Sequence, residues 1–252
     1  MSRAVLQQLL EVAERRGAGY LVLLDPDRVP PDELEERAAL CVEAGADAIL
    51  VGTSLTLLLD HGAIYRAIRR RVQVPVITFP GSGSHVSPLA DAVLFLCMVS
   101  SRNPELLIGE QVRTAPLLKQ CGVEVIATAY LLIESGTLTS VQFMGNTLPI
   151  PRAKNDIAMA HALAAEYLGM KLIYLEAGSG AREPVPDGMV AAVAGYCTLP
   201  ILVGGGIRDP EVARGKVVAG ARFVVTGNLL EEPLIELRPR LRELASAIHT
   251  RG

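Results

Sequence analysis

Eight short apolar runs, rich in β-branched residues, recur along this chain at 20–24, 48–51, 74–79, 92–96, 123–127, 172–175, 201–203 and 223–225. Most are followed by a loop and then a segment with helical spacing. The runs are continuously apolar rather than alternating, the pattern of parallel strands buried on both faces. Repeated strand, crossover helix and parallel strand make an α/β architecture. Eight such units in 252 residues match a (β/α)8 TIM barrel, which takes about 250 residues. The chain therefore reads as one barrel domain spanning 1–252.

The spacing predicts helices over 31–44, 104–120, 155–168, 210–219 and 231–248, each with a charged outer face. Pro31, Pro104 and Pro210 stand where proline suits a helix's first turn. Asn103 is placed to cap the second of these helices. Arg69, Arg70 and Arg71 close a further helical segment, where cations suit the helix dipole. Residues 3–16 read as an extra N-terminal helix that caps the bottom of the barrel. The rhythm breaks twice. Residues 80–88, Pro-Gly-Ser-Gly-Ser-His-Val-Ser-Pro, hold too many breakers for a full helix, so the third α-unit is expected to be irregular and non-helical. Residues 128–152 form a long connection, of the kind that serves as a lid or binding loop.

Composition excludes several classes. Half the residues are apolar and a fifth charged, which supplies a large core and argues against disorder. A net charge of -3 without a clustered basic field argues against a nucleic-acid partner. Cys41, Cys97, Cys121 and Cys197 lie far apart in apolar contexts, so buried, reduced thiols are expected rather than a metal or disulfide framework. Glu11, Glu14, Arg15 and Arg16 interrupt any signal-peptide pattern near the N-terminus. No segment approaches the ~18 uninterrupted apolar residues of a membrane span. The expected setting is reducing and cytoplasmic.

Chemistry in such a barrel sits at the C-terminal ends of the strands. The first strand ends in Asp25-Pro26-Asp27, the second in Gly52-Thr53-Ser54 and the sixth in Tyr174-Leu175-Glu176-Ala177-Gly178-Ser179-Gly180. The seventh ends in Gly204-Gly205-Gly206 and the eighth in Thr226-Gly227-Asn228. Backbone without a side chain just past a strand lets N–H groups approach an anion. Two such ends on the last two strands match the phosphate site of this fold. Tyr174 and Glu176, two apart, point to the same side. There Glu176 can hold a substrate hydroxyl and accept its proton, or else pair with a nearby cation. Asp25 and Thr53 offer a sparse all-oxygen set that suits Mg2+, which keeps waters and shares oxygens with a substrate phosphate. Equally, Asp25 can cap the turn that follows it, and Asp27 reads as a capping residue. His61, His85, His161 and His249 show no ligand spacing, and only His85 lies near the expected mouth. Lys154 either assists an anionic leaving group or begins a surface helix.

These residues carry a resemblance. Tyr-Leu-Glu-Ala-Gly-Ser-Gly-Ala at 174–181, Val-Gly-Gly-Gly-Ile-Arg at 203–208 and Thr-Gly-Asn at 226–228 resemble the geranylgeranylglyceryl phosphate synthase family, which includes heptaprenylglyceryl phosphate synthases. Leu-Leu-Asp-Pro-Asp-Arg at 23–28, Val-Gly-Thr-Ser at 51–54, Phe-Pro-Gly-Ser at 79–82, Ser-Arg-Asn-Pro at 101–104 and Ala-Ala-Glu-Tyr-Leu-Gly-Met at 164–170 are similar to its motifs. The likeness runs in order from about residue 20 to 230. It implies a Mg2+-dependent prenyltransferase. Such an enzyme joins an isoprenoid diphosphate, geranylgeranyl diphosphate foremost, to the C3 hydroxyl of sn-glycerol 1-phosphate and releases diphosphate. By position, it implies Asp25 and Thr53 at the magnesium. It implies Tyr174, Leu175, Glu176, Ala177, Gly178, Ser179, Gly180, Gly205, Gly206, Gly227 and Asn228 at the glycerol phosphate, with Glu176 and Tyr174 catalytic. Leu23-Leu24 stand where some relatives carry a lysine, and Arg28 where lysine is common, which points to the archaeal-like branch. The family also implies a homo-oligomer, a dimer or hexamer. A lipid-like product allows transient contact with a membrane surface without an anchor. Val93, Phe95, Leu96, Met98 and Val99 are candidates to line a prenyl groove, or ordinary core. Two other readings stay open: a different phosphate-binding barrel enzyme acting on a sugar phosphate, and a non-catalytic isoprenoid- or phosphate-binding barrel. The absence of a lysine at any expected strand end counts against Schiff-base chemistry.

Overall fold

The structure, a computed structural model, describes residues 4–30, 32–54 and 60–251. Its sheet closes on itself. Strands β1 (Gly19–Leu24), β2 (Ala48–Val51), β3 (Val76–Thr78), β4 (Ala92–Cys97), β5 (Glu124–Leu132), β6 (Leu172–Glu176), β7 (Ile201–Gly204) and β8 (Phe223–Thr226) pair parallel in chain order. β8 returns to β1 with Tyr20 opposite Val224. This is the (β/α)8 barrel read from the apolar runs.

Two apolar layers follow from the two-residue period of the strands. Leu21, Leu50, Ile77, Leu94, Ile126, Tyr130, Tyr174, Leu202 and Phe223 fill the interior. Their neighbours Tyr20, Ile49, Leu175, Val203 and Val224 pack between sheet and helices. Fully burying a side chain of this size contributes about 1.5–3 kcal/mol, so both layers hold the barrel shut.

Helix α1 (Val5–Arg16) closes the bottom, as expected. Its Val5, Leu9 and Ala13 join the interior cluster. Glu124, at the start of β5, accepts the amides of Val5 and of Leu6 (3.2 Å), a carboxylate placed at a helix N-terminus. Helices α2 (Leu34–Ala44) and α3 (His61–Arg69) cover the first strands. Pro31, expected in the first turn of α2, lies outside the described residues. The third unit holds a single 3₁₀ turn, Gly83–His85. After β4 a π-helical turn (Glu105–Gly109) leads into α4 (Glu110–Cys121). Asn103 accepts the Glu105 amide at 3.1 Å, the capping role read for it.

Two segments differ from the sequence reading. β5 runs to Leu132, five residues past the expected end at 127, because 128–132 pair in register with Leu172–Glu176. The long connection therefore starts at Ile133 and contains the short helix α5 (Ser140–Gly145). After α6 (Asn155–Tyr167) and β6, helix α7 (Asp187–Tyr196) appears where no helix was read. Its Met-Val-Ala-Ala-Val-Ala-Gly stretch has no polar stripe to reveal a helical period. Helices α8 (Pro210–Val218) and α9 (Leu234–Ile248) complete the ring. Pro210 occupies the first turn of α8, and Asp209 caps it by accepting the Glu211 amide at 2.7 Å. The four cysteines are free; Cys41 and Cys197 are buried, while Cys97 and Cys121 are only half-buried, contrary to the uniform burial expected. Among the described residues no helix is long and apolar enough to cross a membrane.

Candidate active site

The C-terminal ends of the strands surround a cavity of about 480 Å³. One side is polar, lined by Asp25, Thr53, Tyr174, Glu176, Ser179 and the glycines 205, 206 and 227 with Asn228. The other is an apolar arm lined by Val93, Phe95, Leu96, Met98 and Leu106.

Tyr174 and Glu176 sit at their junction. Both are buried, Glu176 at 5 % exposure. The Tyr174 hydroxyl donates to the Glu176 carboxylate, and the Gly178 amide donates to Glu176 Oε1 at 2.6 Å. Burial pushes the Glu176 carboxyl above the ordinary range, and these two hydrogen bonds oppose the rise. The Tyr174 phenol is pushed well above its ordinary range, by burial first and then by the charge of Glu176. Its ring lies 5.5 Å, centroid to centroid, from both Phe79 and Tyr130. The pair fits because β7 ends in glycine: a Cβ on Gly204 would run into the Tyr174 hydroxyl, and one on Gly205 into Glu176 Oε1. Glu176 has no cation within salt-bridge distance among the described residues, so the alternative of a simple ion pair falls away.

The glycine ends form a joined cradle. Gly205 and Gly206 take φ of 83° and 71°, a conformation that side chains disfavour. Asn228 Oδ1 accepts the Gly180 amide at 3.1 Å, and its Nδ2 donates to Ser179 Oγ at 3.4 Å and Glu231 Oε1 at 3.1 Å. Asn228 thus ties the loop after β6 to the loop after β8. Gly178 and Gly180 spend their amides on Glu176 and Asn228, so they shape the cradle from behind. Leu175 and Ala177 point their side chains into the outer apolar layer, and any part they play in the site is through the backbone.

At the end of β1 Asp25 meets both readings made for it. Its Oδ1 accepts the Asp27 amide at 3.0 Å, which caps the turn. It also accepts a hydrogen bond from the Thr53 side chain, and both residues line the cavity. Burial raises the Asp25 carboxyl, against the opposing effects of the Asp27 amide, Thr53 and Arg28. Arg28 Nε lies 3.5 Å from Asp25 Oδ2.

Val93, Phe95, Leu96 and Met98 line the apolar arm as expected, but Val99 does not: it packs against the outer core layer. Val141 and Met144, from the long connection, close the arm, which agrees with a covering role for that segment. Lys154 is exposed at the start of α6 and does not line the cavity, the surface alternative read for it. His85 lines the cavity; its Nδ1 accepts the Gly81 amide at 3.1 Å and its ring stacks on His61 at 5.3 Å. Tyr130 escaped the sequence reading, whereas Gly204 and Arg208 were read as parts of the motif after β7 but not among the site residues. Tyr130 was hidden in the extension of β5, where the inward phase of Ile126 continues by twos. Arg208 lies two residues past the glycine end and lines the cavity.

With this geometry in place, comparison with known proteins becomes specific. The PcrB family matches residues 10–246. The chain belongs to the PcrB family. A geranylgeranylglyceryl phosphate synthase of Chitinophaga pinensis is 45% identical over 230 residues, 91% of this chain and 90% of the relative. One of Thermococcus kodakarensis is 46% identical over 230 residues, 89% of this chain and 90% of the relative. The crystal structure of (S)-3-O-geranylgeranylglyceryl phosphate synthase from Thermoplasma acidophilum, in complex with substrate sn-glycerol-1-phosphate, superimposes with a TM-score of 0.91. That match is 35% identical and covers 98% of this chain and 99% of that one. The resemblance read from the motifs is thus borne out, and this PcrB-family barrel is an enzyme of the geranylgeranylglyceryl phosphate synthase type.

Proposed function

We propose that this PcrB-family enzyme transfers a prenyl group, geranylgeranyl foremost, from its diphosphate to the C3 hydroxyl of sn-glycerol 1-phosphate. The observation that carries this reading is the buried Tyr174–Glu176 pair, set where a phosphate cradle and an apolar arm meet in one cavity. A sugar-phosphate substrate would leave the apolar arm without a role.

The glycerol phosphate enters with its phosphate against the backbone of Gly205, Gly206, Gly227 and Asn228. Glu176 accepts a hydrogen bond from the C3 hydroxyl and takes its proton as the new C–O bond forms, a contribution of about 10²- to 10⁴-fold. Tyr174 fixes the carboxylate and closes the barrel interior beneath it. The prenyl chain lies along Val93, Phe95, Leu96 and Leu106, and Val141 and Met144 keep water from the allylic centre. The Asp25 carboxylate and Thr53 hydroxyl form an all-oxygen pair that would hold a Mg2+; bound there it would supply charge to offset the departing diphosphate. The homo-oligomer implied by the family is supported by large apolar side chains left exposed, among them Phe143 at 71% and Leu148 at 85%.

The test is to incubate purified protein with Mg2+, sn-glycerol 1-phosphate and prenyl diphosphates of several lengths and to follow the ether by mass spectrometry. Product that depends on Mg2+ and on the 1-phosphate enantiomer is expected. A folded protein that binds glycerol phosphate yet forms no ether with any donor overturns the reading.

A further inference from the structure

Two arginines, Arg28 and Arg208, line the cavity. Arg208 follows the glycine end of β7. Arg28 lies on the turn after β1, the strand that pairs with β8, and is held between two carboxylates. Its Nε is 3.5 Å from Asp25 Oδ2, and its Nη1 is 3.3 Å from both Glu231 oxygens. The side chain is 47% exposed and Glu231 37%, so the contacts are long and solvated. Ion pairs of this kind are weak and exchange easily. A planar guanidinium with five donors suits a bidentate phosphate far better than it suits two distant acids.

We propose that Arg28 is a catalytic residue that binds the diphosphate of the prenyl donor and exchanges Asp25 and Glu231 for it. This rests on the prenyl-transfer reading above. As the bond between the allylic carbon and the diphosphate oxygen breaks, its electron pair goes to the diphosphate, where the guanidinium stabilises the added charge. The C3 oxygen forms the ether bond and its proton passes to Glu176, so atoms and charge balance with no other reactant. Its contact with Asp25, beside Thr53, sets the guanidinium at the carboxylate end of the cavity, while Glu231 joins it to Asn228 at the edge of the glycine cradle. Glu231 is the resting partner. It also accepts from Asn228 Nδ2 at 3.1 Å, so it stays fixed when Arg28 leaves.

The experiment compares wild type with Arg28→Gln, Arg28→Lys and Glu231→Gln. Titration calorimetry with inorganic diphosphate gives binding, and kinetics with each substrate varied separately give kcat and KM. Arg28→Gln is expected to weaken diphosphate binding and raise the donor KM about 10- to 100-fold, with a fall in kcat, while the glycerol phosphate KM stays unchanged. Arg28→Lys restores part of the loss. Glu231→Gln, which removes the competing carboxylate, is expected to tighten diphosphate binding; an arginine that merely ties two loops together would instead make the two Gln variants behave alike, and that result overturns the proposal. Unchanged diphosphate binding in Arg28→Gln, or a loss confined to glycerol phosphate, also overturns it and leaves the reaction standing. If wild type forms no ether while diphosphate binding still depends on Arg28, the reaction fails and the anion site is upheld.

Discussion

The phenol of Tyr174 hydrogen-bonds the carboxylate of Glu176 two residues further along β6, and the neighbouring strand offers them only the bare backbone of Gly204 and Gly205. The carboxylate is thereby held at the buried end of the cavity with its proton affinity raised by burial. Burying such a group is costly, the hydrogen bonds from Tyr174 and Gly178 offset part of that cost, and a raised carboxyl suits a base that must take a proton from an alcohol during transfer.

Glu176→Gln keeps the shape and removes the base. Turnover is expected to fall about 10²- to 10⁴-fold, with glycerol phosphate binding by calorimetry retained. In wild type the acid limb of kcat/KM should lie above the ordinary carboxylate range, since the base works only when ionised. Equal turnover of variant and wild type at every pH would remove Glu176 from this role.

The same residue predicts a stability effect. Its folded proton affinity exceeds that of the unfolded chain, so the native state binds more protons and its stability declines as pH rises through the raised pKa. Glu176→Gln lacks this loss. Thermal melts should place the variant at or above wild type at pH 7, with the gap closing toward pH 4. A variant less stable at neutral than at acid pH, relative to wild type, would contradict the account.

Gly204 has an ordinary backbone angle, so an alanine there is strained only by contact with the Tyr174 hydroxyl and Glu176 Oε2. Gly204→Ala is expected to destabilise by about 1–3 kcal/mol in denaturant unfolding. Displacing the carboxylate by a fraction of an ångström should also lower kcat by up to about 100-fold. Full activity in this variant would show that the pair need not be seated against β7.

Much of this site is legible in the sequence, because strand ends in a barrel are marked by composition. The glycine ends of β7 and β8, the Tyr174–Glu176 phase and Asp25 after an apolar run all announce themselves. What stays hidden is what depends on where an element stops or which way a loop turns. Tyr130 lies in a stretch, Thr128–Tyr130, that reads as the start of a loop until the pairing with β6 carries β5 to Leu132. Val99 reads as groove lining because β4 is apolar throughout, yet the chain turns after Cys97 and sends it to the outer layer. Leu175 and Ala177 belong to a motif whose side chains alternate between two faces, and a motif does not say which half faces the ligand.

His85 supplies a separate pH test. Burial, with His61 stacked against it, lowers its pKa, and its Nδ1 accepts the Gly81 amide only while the ring is neutral. The unfolded chain takes up the proton first as pH falls, so stability is lost as pH drops below the unfolded value of 6.5 toward the lowered folded one. His85→Asn, whose carbonyl oxygen can accept from Gly81 without titrating, should flatten thermal stability between pH 5 and 7. An unaltered pH slope would show that this ring does not govern the loop.

Asp25 and Thr53 give the last prediction. Asp25→Asn keeps an oxygen acceptor for the Asp27 amide, so the turn after β1 survives, while the charge offered to a cation is removed. Mg2+-dependent ether formation is expected to fall about 100-fold or more, and glycerol phosphate binding to stay as in wild type. Thr53→Val should cost less, because a neutral hydroxyl is replaceable by water at a hydrated ion. A chelator should reduce wild type to the level of Asp25→Asn and leave that variant little changed. If instead Asp25→Asn retains a full response to Mg2+ over a titration of the ion, the cation is held elsewhere and the carboxylate serves the turn alone.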